Sequence, residues 1–121
     1  MRRRTALAGA VVLAPSLGLA QARWPMRPLR LVEPFAPGGT TDLVAPVMGN
    51  VLGQQVVIEN KSGAGGILGA DFVAKSARDG YTLGGGTVST HAIGPAVLRL
   101  PPYTPDKDFT SIALLGSTPL A

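Results

Sequence analysis

The sequence Glu33-Pro34-Phe35-Ala36-Pro37-Gly38-Gly39-Thr40-Thr41-Asp42 joins an apolar run, Leu29-Arg30-Leu31-Val32, to a second apolar segment that starts at Leu43. This order is typical of a strand, a tight loop and a helix N-terminus. The first backbone N–H groups of a helix have no partner within it and lie at the positive end of its dipole. The stretch therefore predicts either a binding site for a carboxylate or phosphate, or only a helix cap formed by Thr40, Thr41 or Asp42.

Two further glycine-rich loops follow predicted strands. Residues 54–60 are β-branched at their centre and predict a second strand, buried on both faces. The loop Lys61-Ser62-Gly63-Ala64-Gly65-Gly66 leads into a helix predicted over residues 67–77, in which Leu68, Phe72 and Val73 recur at helical spacing. Residues 81–83 predict a third short strand, which ends in Gly84-Gly85-Gly86 and is followed by a loop at residues 87–91.

Three repeats of strand, loop and helix predict an α/β fold with right-handed βαβ units and a mostly parallel sheet. In such a sheet the loops that leave the carboxyl ends of the strands gather at one edge, where ligands bind. Two helix N-termini and a hydroxyl-rich loop at one edge favour an anionic ligand over simple capping.

Other elements are less regular. The first helix, predicted over residues 41–52, contains Pro46 and Gly49, which cost about 3 and 1 kcal/mol in a helix interior. We therefore expect this helix to be broken into short pieces or to start only after Pro46. Further on, the sequence predicts a short helix at residues 92–98, an irregular connection at 101–105 and a fourth strand at 109–115.

The N-terminus has the features of a secretory signal peptide. Three arginines at residues 2–4 precede an apolar stretch, and Ala20-Gln21-Ala22 fits the cleavage rule, so we expect residues 1–22 to be removed on export. The apolar stretch is too short and too interrupted for a membrane span. The whole chain has a net charge of +4, but those three arginines belong to the leader. No basic patch is left to favour nucleic-acid binding.

Known catalytic and cofactor motifs are missing from the sequence. The glycine spacing after Gly63 does not fit G-x-G-x-x-G, and no G-x-x-x-x-G-K-[ST] occurs. His91 is the only histidine and no cysteine is present, so no metal-ligand spacing is found. A catalytic relay would have to pair His91 with Ser62, Ser89 or Ser111. None of these serines lies in a nucleophile elbow. We expect no enzyme activity, cofactor or metal; by geometry alone, His91 is expected to bond neighbouring backbone.

Seven short segments occur in an order that resembles one protein family. They are Trp24-Pro25 with Arg27-Pro28, residues 34–42, Leu52-Gly53-Gln54, residues 57–61, Gly63-Ala64-Gly65-Gly66, residues 79–83 and Lys107-Asp108-Phe109. Together they resemble the Bug family, the extracytoplasmic solute receptors of tripartite tricarboxylate transporters. The resemblance implies a periplasmic receptor with a two-lobed, Venus flytrap fold of the periplasmic-binding-protein type. Such a receptor closes on a small carboxylate, works with the transporter's membrane components and has no catalytic activity.

The resemblance also implies where the ligand binds. In the Bug family the first loop and the G-A-G-G loop present backbone amides to a ligand carboxylate, partly through ordered water. The implied positions are Phe35, Ala36, Gly38, Gly39, Thr41, Asp42, Gly63, Ala64, Gly65 and Gly66. The matching T-x-x-T-H-A-type segment is expected to add hydroxyl or imidazole donors from Thr87, Ser89 and His91. Asp42 is expected to order its loop, since it would repel an anion. Glu33 departs from a strand position that is usually apolar, and a buried unpaired carboxylate is costly.

The length of the chain leaves two classes of function open. A two-lobed receptor needs two domains of about 100–150 residues each, so residues 23–121 are expected to match the N-terminal part of the first lobe, with the second lobe absent. The first possibility is a truncated receptor that binds small carboxylates weakly. The second is a small secreted α/β interaction module or a remnant without function, and dimer formation would favour the module.

Overall fold

The computed structural model describes residues 23–117, so the predicted leader lies outside the described residues. The first elements are β1 (Leu29–Glu33), α1 (Thr40–Leu52), β2 (Val56–Asn60), a 3₁₀ turn (Ala64–Gly66), α2 (Ile67–Ala74) and β3 (Thr82–Gly84). They are followed by a π-helical turn (Ser89–Ile93), α3 (Gly94–Val97) and α4 (Pro105–Asp108). Within this range no helix is both long and apolar enough to cross a membrane.

The three strands form one parallel sheet in the order β2-β1-β3, so the first strand of the chain lies at the centre. In the register between β1 and β2, Leu29 lies opposite Val56. On the other side of β1, Arg30 lies opposite Thr82 of β3. Parallel neighbours joined by helical connections confirm the predicted α/β class and its βαβ units.

The two longer helices cover opposite faces of this sheet. Gly49 of α1 approaches Val56, whereas Val73 of α2 approaches Gly84, and these two strand residues point to opposite faces through their register with β1. The central strand is consequently buried. Its apolar residues Leu29, Leu31 and Val32 are each no more than 2% exposed.

The second strand differs from its prediction. It begins at Val56 and not at residue 54, and Val57 is 47% exposed. Burial on both faces was expected and is wrong. The physical reason is the position of β2 at the edge of the sheet, where α2, which lies over β1 and β3, does not cover Val57.

The first helix runs from Thr40 to Leu52 without a break at Pro46, so the expected break or late start is wrong. Pro46 removes one helical hydrogen bond, but tertiary packing holds the helix in place, since Ala45 is only 2% exposed. At its C-terminus Gly53 adopts φ 67° and its N–H donates to the carbonyl of Gly49. A buried contact and a glycine cap thus offset the poor local propensity.

The second helix is shorter than predicted, and Leu68 lies off its buried face, whereas Val73 packs towards the sheet. It ends at Ala74, where the hydroxyl of Ser76 turns back to bond the carbonyl of Phe72 at 2.7 Å. Leu68 was expected on the core face but is 58% exposed. The buried residues of α2 are Ile67, Gly69 and Ala70, of which Ile67 and Ala70 pack against Tyr103.

The C-terminal part of the described chain departs furthest from the sequence prediction. The helical region starts at Ser89, inside the predicted loop 87–91, and α4 follows the predicted connection 101–105. Residues 110–117 form no strand, so the fourth strand predicted at 109–115 is wrong. Ile112 and Leu114, 78% and 87% exposed, have no neighbouring strand among the described residues that would satisfy their backbone.

Candidate functional site

Three loops meet at the carboxyl edge of the sheet, as the sequence predicted. The first loop (residues 34–39) follows β1, the second loop (61–66) follows β2, and the third segment (85–91) follows β3. The Lys61 N–H donates to the Glu33 carbonyl at 2.8 Å, and the Gly85 N–H donates to the Val32 carbonyl at 2.9 Å. These bonds fix where both outer loops begin relative to the central one.

The second loop touches both others at Gly66. A Cβ atom placed on Gly66 would lie 2.6 Å from Thr90 Cγ2 in the third segment and 3.2 Å from Phe35 Cζ in the first loop. The Asn60 side-chain amide donates to the Phe35 carbonyl at 3.1 Å. The three loops therefore form one packed unit, in which a glycine is required at position 66.

The first loop presents bare backbone at Gly38 and Gly39, where an added Cβ would meet no atom within 4 Å. Gly39 occupies the N-cap position of α1 and brings no side-chain acceptor. The N–H of Gly38 donates to the Asp42 carboxylate, as expected if Asp42 orders the loop. Within the first turn of α1 the Asp42 N–H donates to the Gly39 carbonyl at 3.1 Å, so the N–H groups of Thr40 and Thr41 are the ones without a helical partner.

The second loop holds four successive residues at positive φ. The values are 142° for Gly63, 49° for Ala64, 66° for Gly65 and 93° for Gly66. Ala64 is the one non-glycine among them, and the left-handed conformation costs such a residue about 1–2 kcal/mol. Strain of this kind is concentrated at functional loops and needs support from the surrounding structure. Gly65 also leaves open space where a Cβ would stand.

The third segment is held together by Thr90, which is 0% exposed. Its Oγ1 accepts the Thr87 N–H at 2.9 Å and lies 2.8 Å from His91 Nδ1. The Tyr103 hydroxyl donates to the Thr90 carbonyl. Sequence reasoning named the exposed neighbours Thr87 and Ser89 and missed Thr90. The available signal was the spacing of three between Thr87 and Thr90, at which a threonine hydroxyl can bond the local backbone.

The His91 ring faces an aromatic cluster. Its centroid lies 4.6 Å from that of Phe109 in edge-to-face geometry and 6.4 Å from that of Tyr103. A cavity of about 20 Å³, room for one water molecule, lies between His91, Phe109 and α2. Burial lowers the pKa of the His91 imidazole, so the neutral ring is favoured. This placement fits the expectation of a loop histidine bonded to its neighbours better than that of an anion donor.

Side-chain charge adds little to this edge. Lys61 is the only lysine or arginine in the three loops, and its Nζ lies 2.8 Å from Glu59 Oε1 and 4.3 Å from the centre of the Phe72 ring. The hydrogen bond from Lys61 is the main cause of a lowered pKa of the Glu59 carboxyl. Lys61 is thus engaged with Glu59 and Phe72, and the three loops contain no other lysine or arginine.

Glu33 lies directly beneath the loops. It is 5% exposed, and its Oε2 has no hydrogen-bond partner. A Cβ atom on Gly85 would lie 2.6 Å from that oxygen. Glu33 is therefore a buried carboxyl group with one oxygen lacking a hydrogen-bond partner, which is a costly arrangement. Between residues 23 and 117 no group of three His, Cys, Asp or Glu side chains is placed to hold a metal ion.

The sequence matches a known family along most of its length. The model of the tripartite tricarboxylate transporter family receptor matches residues 41–121. Among curated proteins, Protein BugT of Bordetella pertussis is 41% identical over 102 residues, which cover 80% of this chain and 31% of that protein.

Solved structures agree in fold. MatC from Rhodopseudomonas palustris with bound malate is 48% identical, with a TM-score of 0.68 over 76% of this chain and 33% of that chain. An R. palustris protein solved with adipate is 43% identical, with a TM-score of 0.64 over 69% of this chain and 29% of that chain. A structure described as a periplasmic transporter is 46% identical, with a TM-score of 0.65 over the same shares.

The chain spans about a third of the length of the curated relatives it matches. Over that length the parallel sheet, the order of its elements and the identity to Bug proteins agree with the resemblance found in the sequence. The chain therefore belongs to the tripartite tricarboxylate transporter receptor family, a family of periplasmic solute-binding proteins that includes the Bug proteins.

Proposed function

We propose that the chain supplies the first part of an extracytoplasmic receptor that captures a small carboxylate for a tripartite tricarboxylate transporter. The observation that carries this proposal is the similarity to MatC, solved with malate, over 76% of the chain. The relative solved with adipate supports the same class of ligand. Malate and adipate are both dicarboxylates of short chain length, so the ligand class we propose is small di- and tricarboxylates.

In this proposal backbone amides form the carboxylate cradle. The open Gly38 and Gly39 let a ligand approach the N-terminus of α1, where free N–H groups and the helix dipole both favour an anion. The Gly66 N–H is bonded within the second loop, to the Gly63 carbonyl at 2.9 Å, so in this proposal the loop adds the N–H groups of Gly63, Ala64 and Gly65. The proposed ligand-binding positions are Phe35, Ala36, Gly38, Gly39, Thr41, Asp42, Gly63, Ala64, Gly65 and Gly66, with donors added by Thr87, Ser89 and His91.

Four of these positions have different parts in the proposal. Asp42 holds the Gly38 N–H and so shapes the first loop without touching the anion. Thr87 and Ser89 are exposed at the edge and present hydroxyl groups. The His91 N–H is bonded to the Thr87 carbonyl and its Nδ1 lies against Thr90 Oγ1, so Nε2 is the donor that His91 would offer.

The rest of the proposal concerns the whole receptor. Residues 1–22 act as the export signal, residues 23–121 match the first part of lobe one, and the second lobe lies beyond what this chain covers. Capture by closure needs both lobes, because residence comes from burying the ligand between them. We therefore expect the chain alone to bind carboxylates weakly, in the millimolar range.

A second candidate, a small secreted interaction module, is favoured by the exposed apolar residues. Leu43, Val47 and Val51 recur every fourth residue along α1 and are 60–80% exposed. Ile112 and Leu114 are also largely exposed. Surfaces of this kind mark contacts with other protein. A stable dimer at micromolar concentration, with no response to any carboxylate, would favour the module over the receptor.

Thermal unfolding of the full chain, with malate, adipate and citrate at millimolar concentration, tests the proposal. We expect a cooperative transition that at least one acid raises, since a ligand present at a concentration equal to its Kd adds RT ln 2, about 0.4 kcal/mol, of stability. Gly39→Val should remove that rise, because its side chain would fill the open approach. Gly116→Val is the matched control, since Gly116 is also free of neighbours within 4 Å.

Two results would contradict the proposed function. One is a cooperative transition that no di- or tricarboxylate raises. The other is a carboxylate response that Gly39→Val leaves as large as in the parent and in Gly116→Val, because binding would then lie away from the first loop.

A further inference from the structure

Thr90 lies between the second loop and the third segment, and none of its surface is exposed. A side chain closed to solvent in this way has no surface with which to touch a bound carboxylate. Its hydroxyl branch nevertheless contacts the third segment, and its methyl branch contacts the second loop. Both belong to the edge of the sheet where we propose that the ligand binds, here called the ligand edge. Any effect of Thr90 on binding must therefore act through the residues that it holds.

The hydroxyl branch fixes the third segment. Oγ1 accepts the Thr87 N–H at 2.9 Å, lies 3.1 Å from the Thr87 carbonyl and lies 2.8 Å from His91 Nδ1. A hydroxyl has one proton, so it donates either to the Thr87 carbonyl or to Nδ1, and the tautomer of His91 decides which. In both cases the hydroxyl ties the Thr87 backbone and the His91 ring to one point.

The methyl branch sets the position of the second loop. Thr90 Cγ2 stands 2.6 Å from where a Cβ of Gly66 would be, so it fills the space directly over the Gly66 backbone. Phe35 Cζ, 3.2 Å from the same point, closes the other side. Because interiors are packed without spare space, removing this methyl group would let the second loop move.

Tyr103 holds Thr90 from behind. Its hydroxyl donates to the Thr90 carbonyl, and its ring is 3% exposed and packs edge-to-face on Phe109 at 5.4 Å. Ile67 and Ala70 of α2 complete this cluster. Thr90 is thus fixed by the core on one side and fixes two loops on the other.

We infer that Thr90 is a positioning residue of the ligand edge: its hydroxyl holds Thr87 and the His91 ring in place, and its methyl group packs on the Gly66 backbone and holds it in place. The inference rests on the proposed function, because it concerns how that same edge is held ready for a carboxylate. It assigns separate tasks to the two branches of one side chain, and two substitutions separate them. Thr90→Val keeps the shape and removes the hydroxyl; Thr90→Ser keeps the hydroxyl and removes the methyl group.

The experiment follows amide hydrogen exchange at Thr87 and Gly66 and the ring nitrogen signals of His91 by NMR in the full chain, together with malate affinity. Thr90→Val should speed exchange at Thr87 roughly fivefold, the factor that corresponds to one hydrogen bond, and shift the His91 signals. Thr90→Ser should speed exchange at Gly66 and leave the His91 signals in place. Thr110→Val and Thr110→Ser, at an exposed position, are the matched controls and should change neither.

Malate affinity separates this inference from the proposed function. If the parent binds malate, both Thr90 variants should weaken binding roughly fivefold, and the Thr110 variants should not. A parent that binds no carboxylate would contradict the proposed function, and the exchange and ring signals would still decide whether Thr90 holds the two loops.

Three results would overturn the inference. They are unchanged His91 signals in Thr90→Val, equal acceleration at Thr87 and Gly66 in both variants, and full malate affinity in both variants of a binding-competent parent. If Thr90→Val does not unfold cooperatively, Thr90→Ser decides alone: faster exchange confined to Gly66 supports the inference, and no change at Gly66 refutes it.

Discussion

The first loop and the start of α2 are both rich in glycine, but their glycines face opposite surroundings. Gly38 and Gly39 have no atom within 4 Å of an added Cβ, whereas a Cβ on Gly69 would lie 2.8 Å from Pro34 Cα and 2.9 Å from the Lys61 carbonyl. Gly66 is enclosed in the same way. Glycine in the first loop thus leaves room for a ligand, and glycine in α2 leaves room for the protein itself.

We expect the largest difference in the free energy of unfolding when alanine replaces a glycine in each of these two regions. Gly69→Ala should lower the free energy of unfolding by about 2–3 kcal/mol, because its Cβ would overlap backbone atoms that cannot rotate away. Gly39→Ala should cost less than about 1 kcal/mol, the difference between glycine and alanine as an N-cap. Urea unfolding of both variants measures this. Equal losses would mean that the first loop and the start of α2 do not differ as described.

A gain in the free energy of unfolding, of intermediate size, is expected when Glu33 is replaced. This residue lies beneath the third segment and packs against Gly85. Glu33→Met should raise the free energy of unfolding by about 1–2 kcal/mol, since it removes a buried oxygen without a partner and keeps the length of the side chain. Glu59→Met is the control: its carboxylate is paired with Lys61, so its loss should bring no gain. Urea midpoints of the two variants give the comparison. A destabilised Glu33→Met would show that the carboxylate has a partner at this edge.

The smallest expected effect is a pH dependence of the free energy of unfolding, which arises from His91 in the packed third segment. The pKa of His91 is lowered in the folded state by burial, so the unfolded chain binds more protons just below its usual pKa. The stability that the neutral His91 ring contributes is fully present above about pH 6.5. It is lost as the pH falls through the folded pKa of His91. Thermal unfolding between pH 5 and 8 should show this slope.

The same series on His91→Gln is the control for that slope. His91 is the only histidine in the chain, so the slope near pH 6 should flatten in this variant. A slope that persists would have to come from carboxyl groups, and the third segment would then not be the packed region that its geometry indicates.

Much of the fold could be predicted, because in those parts the local sequence pattern and the tertiary contacts favour the same structure. β1 is apolar and ends at a glycine-rich turn, and Gly53 and Gly80 stop or turn the chain where left-handed backbone is needed. The gathering of three loops at one edge follows from parallel topology alone. The contact of Asp42 with the Gly38 N–H also agrees with the expectation, drawn from its charge, that it orders its own loop.

Other features depended on contacts that no local pattern contains. Pro46 predicts a broken helix, but burial of the adjacent Ala45 keeps α1 whole. Residues 109–115 have the composition of a strand and remain unpaired, because a strand is defined by its neighbours. Thr90 reads as one more hydroxyl in a polar loop; only the fold brings Gly66 and Tyr103 to it.

The position of β1 has a consequence for the order of events during synthesis. The strand that is made first is the one that lies at the centre, and its second neighbour, β3, leaves the ribosome about fifty residues later. At 5–20 residues per second that interval is roughly 3–10 s. After β2 has paired with β1, the other edge of the central strand stays unpaired until β3 follows, and an unpaired strand edge is where a nascent chain can associate with other chains.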